Sequence, residues 1–215
     1  MSDTFVESPA ATADSWQQVI AAILLGLAAT FTALSAYEAS LLDGEALKGY
    51  TSSTRTLSDA NAFYAQGNQT TAMDQQLFIS YTTAVQQGDT ELADHLMTLM
   101  RPKLREGIAW WTDNDDAVTP LDETDENPYL VEDFSEAYDL EQEAGKLFDV
   151  AVKADNQGDR FELSTVLFAL TLFFGGISTV FDKQAVSRAL LVVSGVTLIA
   201  GVSQLIWAFY GASAG

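Results

Sequence analysis

Three long apolar segments stand out along the chain, at residues 19–36, 163–181 and 189–210, and none contains a charged side chain. A helix rises about 1.5 Å per residue, so about 20 apolar residues cross the roughly 30 Å hydrocarbon core of a bilayer. The pattern therefore predicts three transmembrane helices. The alternative, buried helices of a soluble core, is disfavoured by runs of this length in a chain of 215 residues.

The first apolar segment has a second interpretation as a cleavable signal peptide, with small residues at Ser35 and Ala36 offering a cleavage site. However, residues 1–15 contain no Lys or Arg, and the segment is longer than the usual apolar core of about 7–15 residues. Ser15 and Gln18 have the spacing of a capping box, which starts a helix just before Trp16. We therefore favour a retained helix.

The long insert between the first and second apolar segments carries a helical pattern of small and apolar residues. They recur at alternating spacings of three and four. One series is Ala39, Leu42, Ala46, Gly49, Ser53, Thr56, Ala60 and Phe63, and the other is Ala137, Leu140, Ala144, Leu147, Ala151 and Ala154. Small residues allow helix backbones to approach closely. The pattern predicts that the first two membrane helices continue as an antiparallel, coiled-coil-like stalk.

Between the two series we expect a helical hairpin formed by residues 73–85 and 92–99. The turn sequence QQGD supports it, because Gly88 suits the left-handed conformation that ends a helix and Asp89 suits the N-cap of the next. Pro102 should break or restart the following helix.

These patterns together predict an all-α membrane protein with three transmembrane helices, an extramembrane antiparallel helical stalk and a helical hairpin. The predicted order is a tail of residues 1–15, a transmembrane helix of residues 16–42, an acidic extramembrane domain of residues 43–160, a transmembrane helix of residues 161–182, a basic hairpin loop of residues 183–188 and a transmembrane helix of residues 189–211.

Basic residues predict the orientation. Lys183 and Arg188 lie in the short loop between the second and third spans, whereas the N-terminal tail has no Lys or Arg. Short basic loops stay in the cytoplasm, so we expect a multi-pass protein of the cell membrane with residues 43–160 outside the cell. Lys48 and Arg160 oppose this orientation, but the insert exceeds the roughly 60 residues over which the tendency operates.

Charge is concentrated in the insert. The chain has 30 Asp and Glu against 10 Lys and Arg, a formal net charge of −20 and a mean hydropathy of +0.09. Residues 43–160 hold 24 of the acidic and 8 of the basic residues. This acidity repels phosphate, which excludes nucleic acid as a partner. It is typical of surfaces that stay hydrated in molar salt, so we expect a halophilic, high-salt exterior.

Residues 112–130 are the one loop-like stretch of the insert. Clustered carboxylates can bind a hard cation such as Ca²⁺. Asp113, Asp115 and Asp116 lack the glycine and the distal glutamate of an EF-hand loop. We therefore expect a solvated acidic loop, and cation binding stays open as the alternative.

The sequence offers no catalytic, cofactor-binding or metal-binding residues. It contains no Cys, no phosphate-binding glycine loop, no nucleophile elbow and no HExxH motif. His95 is the only histidine, and we expect it at the surface or in bundle packing. Trp110 and Trp111 are expected to pack in a core distant from the membrane. We therefore expect a protein that is not an enzyme and binds no cofactor.

Small and polar stripes on two predicted membrane helices are the candidate functional residues. They are Ala22, Gly26, Ala29 and Ala33 on the first helix, and Ser194, Thr197, Gly201 and Gln204 on the third. Such stripes form helix–helix contacts in membranes, and packing within one chain is the first interpretation. Three helices enclose little interior, so they cannot bury all of these small and polar residues against one another. The residues left over favour a homo-oligomer, a membrane-protein partner or a polar lumen.

Two functions fit these features. The first is an interaction, assembly or sensor module that lies in the lipid bilayer and works through its extracytoplasmic helical domain. The second is a homo-oligomeric pore or channel lined by the polar face of the third helix. Ion-coupled or proton-coupled transport is disfavoured, because no ionisable residue lies deep within a predicted span.

The cluster of aromatic, Ala and Gln residues at 60–66 (ANAFYAQ), together with Gly175 and Gly176 before the Lys183 and Arg188 hairpin, carries a resemblance. In these residues and in the order of its elements, the chain resembles an uncharacterised family of small prokaryotic three-span membrane proteins with a long helical insert after the first span. The resemblance implies a layout for the whole chain, and it implies no activity, cofactor or site residue.

Overall fold

The computed structural model describes residues 9–114, 119–122, 124, 126–181 and 183–211, with side chains described from Trp16 to Tyr210. These residues form five α-helices and no β-strand, which confirms the all-α prediction. The helices are α1 (Pro9–Gln87), α2 (Thr90–Leu99), α3 (Pro102–Asp113), α4 (Glu132–Ser178) and α5 (Gln184–Gly211). As expected, α1, α4 and α5 are each long and apolar enough to cross a membrane.

The chain divides into two compact units. Unit 1 takes the described residues of Met1–Tyr50 and Phe148–Gly215, and unit 2 takes those of Thr51–Leu147. Both α1 and α4 contribute to both units. The division falls inside the predicted insert of residues 43–160, because the residues at either end of the insert belong to the unit that holds the apolar helix segments.

Helix α1 is one unbroken helix of 79 residues. The sequence predicted that the membrane helix of residues 16–42 continues into the first small-residue series, but it assigned residues 73–85 to a separate hairpin. In the structure no proline interrupts the helix before residue 87, and all of these residues belong to α1. The helix ends where Gly88 adopts a φ of 73°. The Asp89 side chain then caps α2 by accepting a hydrogen bond from the backbone N–H of Leu92 at 3.0 Å. Both roles match the predicted turn.

Two helix boundaries follow from local chemistry. Pro102 occupies the first turn of α3, where its missing N–H costs nothing, so it restarts the helix as expected. The predicted hairpin loop of residues 183–188 is wrong at its C-terminal end, since α5 already begins at Gln184 and includes Arg188. The Lys183 carbonyl accepts the N–H groups of Val186 and Ser187, each at 3.0 Å, and this starts the helix earlier than the polar side chains suggest.

The core of unit 2 forms where α3 packs against α1. Met100, Leu104 and Ile108 are buried there, and Leu77, Phe78, Tyr81, Met97, Leu121 and Tyr129 surround them. Trp111 adds an edge-to-face contact with Phe78, with ring centroids 5.2 Å apart. This places one of the two predicted tryptophans beside the core.

Small residues bring α1 and α4 together within unit 2. The Ser53 hydroxyl donates to the Ala144 carbonyl at 2.8 Å. A Cβ on Gly67 would lie 2.7 Å from the Phe134 ring, so the ring rests directly on the α1 backbone. Residue numbers rise along α1 as they fall along α4, and the two helices therefore run antiparallel in this unit. Their placement outside a membrane stays a prediction.

Candidate functional site

The contact between α4 and α5 uses most of the third-helix stripe. The Ser194 hydroxyl, which is fully buried, donates to the Thr171 carbonyl at 2.9 Å, and the Thr171 and Thr197 hydroxyls lie 2.9 Å apart. Gly201 is buried, and a Cβ there would lie 2.7 Å from the Phe168 ring. Gln204 is half-buried. These four predicted residues therefore lie on the inward side of α5 or at its border.

The first-helix stripe has the opposite placement. Ala22, Gly26, Ala29 and Ala33 are all exposed, and a Cβ on Gly26 would meet nothing within 4 Å. The buried residues of this part of α1 are Ala21, Ala28 and Ser35, each one or two residues from a member of the stripe. Alanine lies on both faces, so the spacing of small residues alone did not distinguish the buried face from the exposed one.

The two ends of unit 1 carry different polar groups. At one end, Gln17 and Gln18 of α1 share a polar cavity of about 220 Å³ with Ser178, Thr179 and Gln184 of the α4–α5 hairpin region. At the other end, the Arg160 guanidinium carbon lies 4.2 Å from the Trp207 ring centroid, a cation–π contact. The start of α1 and the α4–α5 hairpin therefore lie at the same end of unit 1.

Unit 2 contains a buried ion pair that was not predicted from the sequence. Asp74 is only 2% exposed, and its Oδ2 accepts hydrogen bonds from the Arg101 Nε at 2.5 Å and from the Tyr129 hydroxyl at 3.1 Å. Arg101 also donates from Nη1 to the Leu130 carbonyl at 2.6 Å, and its guanidinium carbon lies 5.0 Å from the Tyr129 ring centroid. A buried carboxylate is costly without such partners.

One sequence signal could have revealed Asp74. It continues the inward-facing series of α1 at seven-residue spacing, after Ser53, Ala60 and Gly67. A charged residue at an inward-facing position requires a buried partner. Extending the α1 series beyond Phe63 would therefore have predicted a partner for Asp74. The identity of the partner was not predictable, because Arg101 follows a turn and a further helix.

Electrostatics hold Tyr129 and Arg101 in their hydrogen-bonding states. Burial raises the pKa of Tyr129 above its usual value and the Asp74 carboxylate adds to the rise, although Arg101 opposes it. The phenol therefore stays protonated and donates to Asp74. Burial, the largest single effect, lowers the pKa of Arg101, but the hydrogen bonds and charge interactions with Asp74 and Tyr129 together outweigh it and leave the pKa raised. The guanidinium thus keeps its charge.

A cavity of about 550 Å³ opens beside this cluster, with Tyr129 in its wall. The cavity lies between α1, the segment that precedes α4 and the first residues of α4. Its walls are mixed, with polar groups from Asn68, Thr71 and Ser135 and apolar groups from Leu121, Val131 and Phe134. A volume of this size is in the range of about 300–1,000 Å³ that binds small molecules.

The acidic loop is only partly described. Asp115 and Asp116 of the possible cation site lie outside the described residues. Asp122, nearby, accepts hydrogen bonds from the N–H and hydroxyl of Thr119 at 3.1 and 3.0 Å. Within the described part of the chain, no three His, Asp or Glu side chains converge as a metal site would require. His95 is exposed on α2.

Comparison with known proteins found no relative of this chain. No protein-family model matches the chain, and no curated protein or solved structure matches it. The resemblance in layout to three-span prokaryotic proteins therefore stays an expectation.

Proposed function

We propose that the protein is a multi-pass protein of the cell membrane, in which unit 2 acts outside the cell as a non-enzymatic interaction or sensor module. The observation that carries the proposal is the placement of side chains in unit 1. Its buried positions include the hydroxyl residues Ser164, Thr171 and Ser194, whereas large apolar residues such as Val192 and Ile199 are 66% and 69% exposed. Small and hydroxyl residues inside with branched apolar residues outside is typical of helices packed in lipid.

Energetics favour lipid over water as the surroundings of unit 1. Leaving a large apolar side chain in water forfeits about 1.5–3 kcal/mol relative to burying it, and exposed ones occur along all three of these helices. The hydroxyl groups of Ser164 and Thr171 on α4 are satisfied without water. Ser164 donates to the Arg160 carbonyl at 3.1 Å, and Thr171 donates to the Leu167 carbonyl at 3.1 Å. Such bonds along one helix suit an apolar solvent.

The two ends of unit 1 support an orientation. The end with Arg160 and Trp207 has the aromatic and basic side chains typical of a membrane interface. The opposite end holds Lys183 and Arg188, and short basic hairpins stay in the cytoplasm. The start of α1 then lies inside the cell, and unit 2 lies outside.

Impermeant labelling tests this orientation. The chain has no Cys, so each introduced thiol is the only one present. We expect Ser80→Cys, exposed on α1 in unit 2, to react with a membrane-impermeant maleimide in intact cells, and Lys183→Cys to react only after permeabilisation. The reverse pattern would show that unit 2 is cytoplasmic, and labelling of both in intact cells would show that α4 does not cross the membrane between these two positions.

The role of a sensor or interaction module is supported by helix continuity. Helices α1 and α4 each run without a break through residues of both units. A change in how they pack in unit 2 is therefore a change in helices that also form unit 1. Unit 2 offers a buried ion pair and a cavity on which a ligand could act. The partners we propose are the lipid bilayer and a second copy or another membrane protein, and the net charge of −20 excludes nucleic acid.

Self-association through the exposed α1 stripe is open to a direct test. Because a Cβ on Gly26 meets nothing within 4 Å, Gly26→Leu should leave the fold of one chain intact while blocking close approach of a second. We expect wild-type protein in mild detergent to have at least twice the mass of one chain and Gly26→Leu to have the mass of one. The matched control is Gly195→Leu, also without neighbours but on α5, and it should keep the wild-type mass.

A wild-type protein that is already monomeric, or two variants with equal mass, would contradict association through this stripe. The alternative function, a homo-oligomeric pore lined by the third helix, is less well supported. Ser194 and Thr197 already hydrogen-bond to α4 within one chain, and Gln204 alone of the polar stripe is left to line a lumen. Unchanged ion flux in Gln204→Leu would count further against it.

A further inference from the structure

We infer that the cavity in unit 2 binds a small, neutral, polyhydroxylated molecule of mono- or disaccharide size. The cavity has a volume of about 550 Å³ and an open mouth, with Asn68 and Ser135 exposed at its edge. The inference deepens the proposed function, and it rests on it in one respect, that unit 2 faces the exterior where such a solute reaches it.

One wall of the cavity is apolar and preorganised. The Phe134 ring rests on Gly67, where a Cβ would come within 2.7 Å of it, and its centroid lies 6.3 Å from that of the Tyr64 ring. Only a glycine leaves room for the ring in this position. The Phe134 ring, with Val131 and Leu121 also in the lining, thus gives the cavity an apolar wall against which the C–H face of a sugar ring can pack.

The polar groups of the cavity divide into two sets. Asn127 and Tyr129 are used by the protein itself, because the Asn127 amide donates to the Pro120 and Asp122 carbonyls at 3.0 and 2.8 Å and the Tyr129 hydroxyl donates to Asp74. In contrast, the amide of Asn68 and the hydroxyl of Ser135 make no hydrogen bond to any described residue. An amide and a hydroxyl can both donate and accept, which matches the hydroxyl groups of a polyol.

Charge decides between a neutral and an ionic ligand. Among the residues that the structure describes, the ten that line the cavity are all uncharged. The nearest ion pair, Asp74 with Arg101, is compensated internally and separated from the cavity by Tyr129. A charged ligand would lose hydration without gaining a partner, which costs free energy that a neutral ligand does not lose. The net charge of −20 adds repulsion against anions.

Three probes with one ring scaffold and different charges test the inference. Saturation-transfer difference NMR, performed on the full chain in lipid nanodiscs, compares glucose, cationic glucosamine and anionic glucuronate. We expect binding of glucose and at least about tenfold weaker binding of both charged probes. Absence of glucose binding, or binding of glucosamine or glucuronate as tight as that of glucose, would overturn the inference.

Two neighbouring substitutions locate the site. Asn68→Leu removes the free amide from the cavity, whereas Gln69→Leu makes the same kind of change at an exposed position that does not line it. We expect about a tenfold loss of glucose affinity in Asn68→Leu and no change in Gln69→Leu. Equal affinities in both variants would place the binding elsewhere. These measurements do not depend on orientation, so their failure is distinguishable from a failure of the labelling test of the proposed function.

Discussion

Asp74→Ala should lower the free energy of unfolding of unit 2 by about 3 kcal/mol, because it leaves the Arg101 guanidinium without its carboxylate. The Nη2 atom of Arg101 is already buried without a partner among the described residues, so the substitution leaves a second donor unsatisfied. The Tyr129 hydroxyl loses its acceptor as well. We expect the lower end of the usual range, since the Arg101 side chain is 26% exposed and can turn partly toward water.

Hydrogen exchange on the full chain in nanodiscs measures this effect where it occurs, at the amides of α3. The matched control is Asp94→Ala, which removes the same charge from an exposed position of α2 and should leave exchange unchanged. Combining Asp74→Ala with Arg101→Met should restore part of the loss, because no buried charge then remains. Equal protection of α3 in Asp74→Ala and Asp94→Ala would show that the ion pair does not stabilise unit 2.

The second large effect is expected at Gly49, where α1 touches α4 within unit 1. A Cβ there would lie 2.7 Å from the Ala151 Cβ and 3.1 Å from its Cα, so the helix backbones are nearly in contact. We expect Gly49→Leu to destabilise unit 1 by about 3 kcal/mol through overpacking, because backbone atoms cannot move aside as a side chain would. Thermal unfolding in nanodiscs, followed by circular dichroism, measures the loss.

Gly145→Leu makes the same chemical change as Gly49→Leu, but we expect it to stabilise the protein. No atom lies within 4 Å of a Cβ on Gly145, so the variant gains helix propensity of up to about 1 kcal/mol with no steric cost. A higher melting temperature in Gly145→Leu than in wild type, together with a lower one in Gly49→Leu, is the expected pair of results. If both substitutions shift the melting temperature in the same direction, the close approach at Gly49 does not limit the packing.

Much of the fold could be predicted from the sequence because two strong signals were present. Uncharged runs of transmembrane length marked the apolar parts of α1, α4 and α5, and small residues at helical spacing marked faces such as Ala60 and Ala137, both fully buried. The turn at Gly88 was predictable because its conformation suits glycine above other residues.

The remainder depended on contacts between residues far apart in the chain. The spacing of small residues could not distinguish Ala22 from Ala21, since both belong to plausible stripes and only the neighbouring helices select the buried one. The cavity could not be predicted from the sequence for a similar reason. It is lined by Asn68 of α1 and Ser135 near the start of α4, which lie far apart in sequence. Lys183 and Arg188 suggested a loop between the second and third apolar segments, but charge does not terminate a helix, and α5 already begins at Gln184.

The seven-residue spacing of Ser53, Ala60, Gly67 and Asp74 has a consequence for alignment between α1 and α4 in unit 2. A strict heptad repeat underwinds a helix to 3.5 residues per turn and favours left-handed supercoiling. Small residues at successive repeats resemble one another, so sliding one helix past the other by a single repeat would preserve most of the interface. Phe134 of α4 fits only over Gly67, and Asp74 accepts a hydrogen bond from Tyr129, shortly before the start of α4. These two contacts therefore fix one alignment of α1 with α4, whereas the repeat alone would allow several.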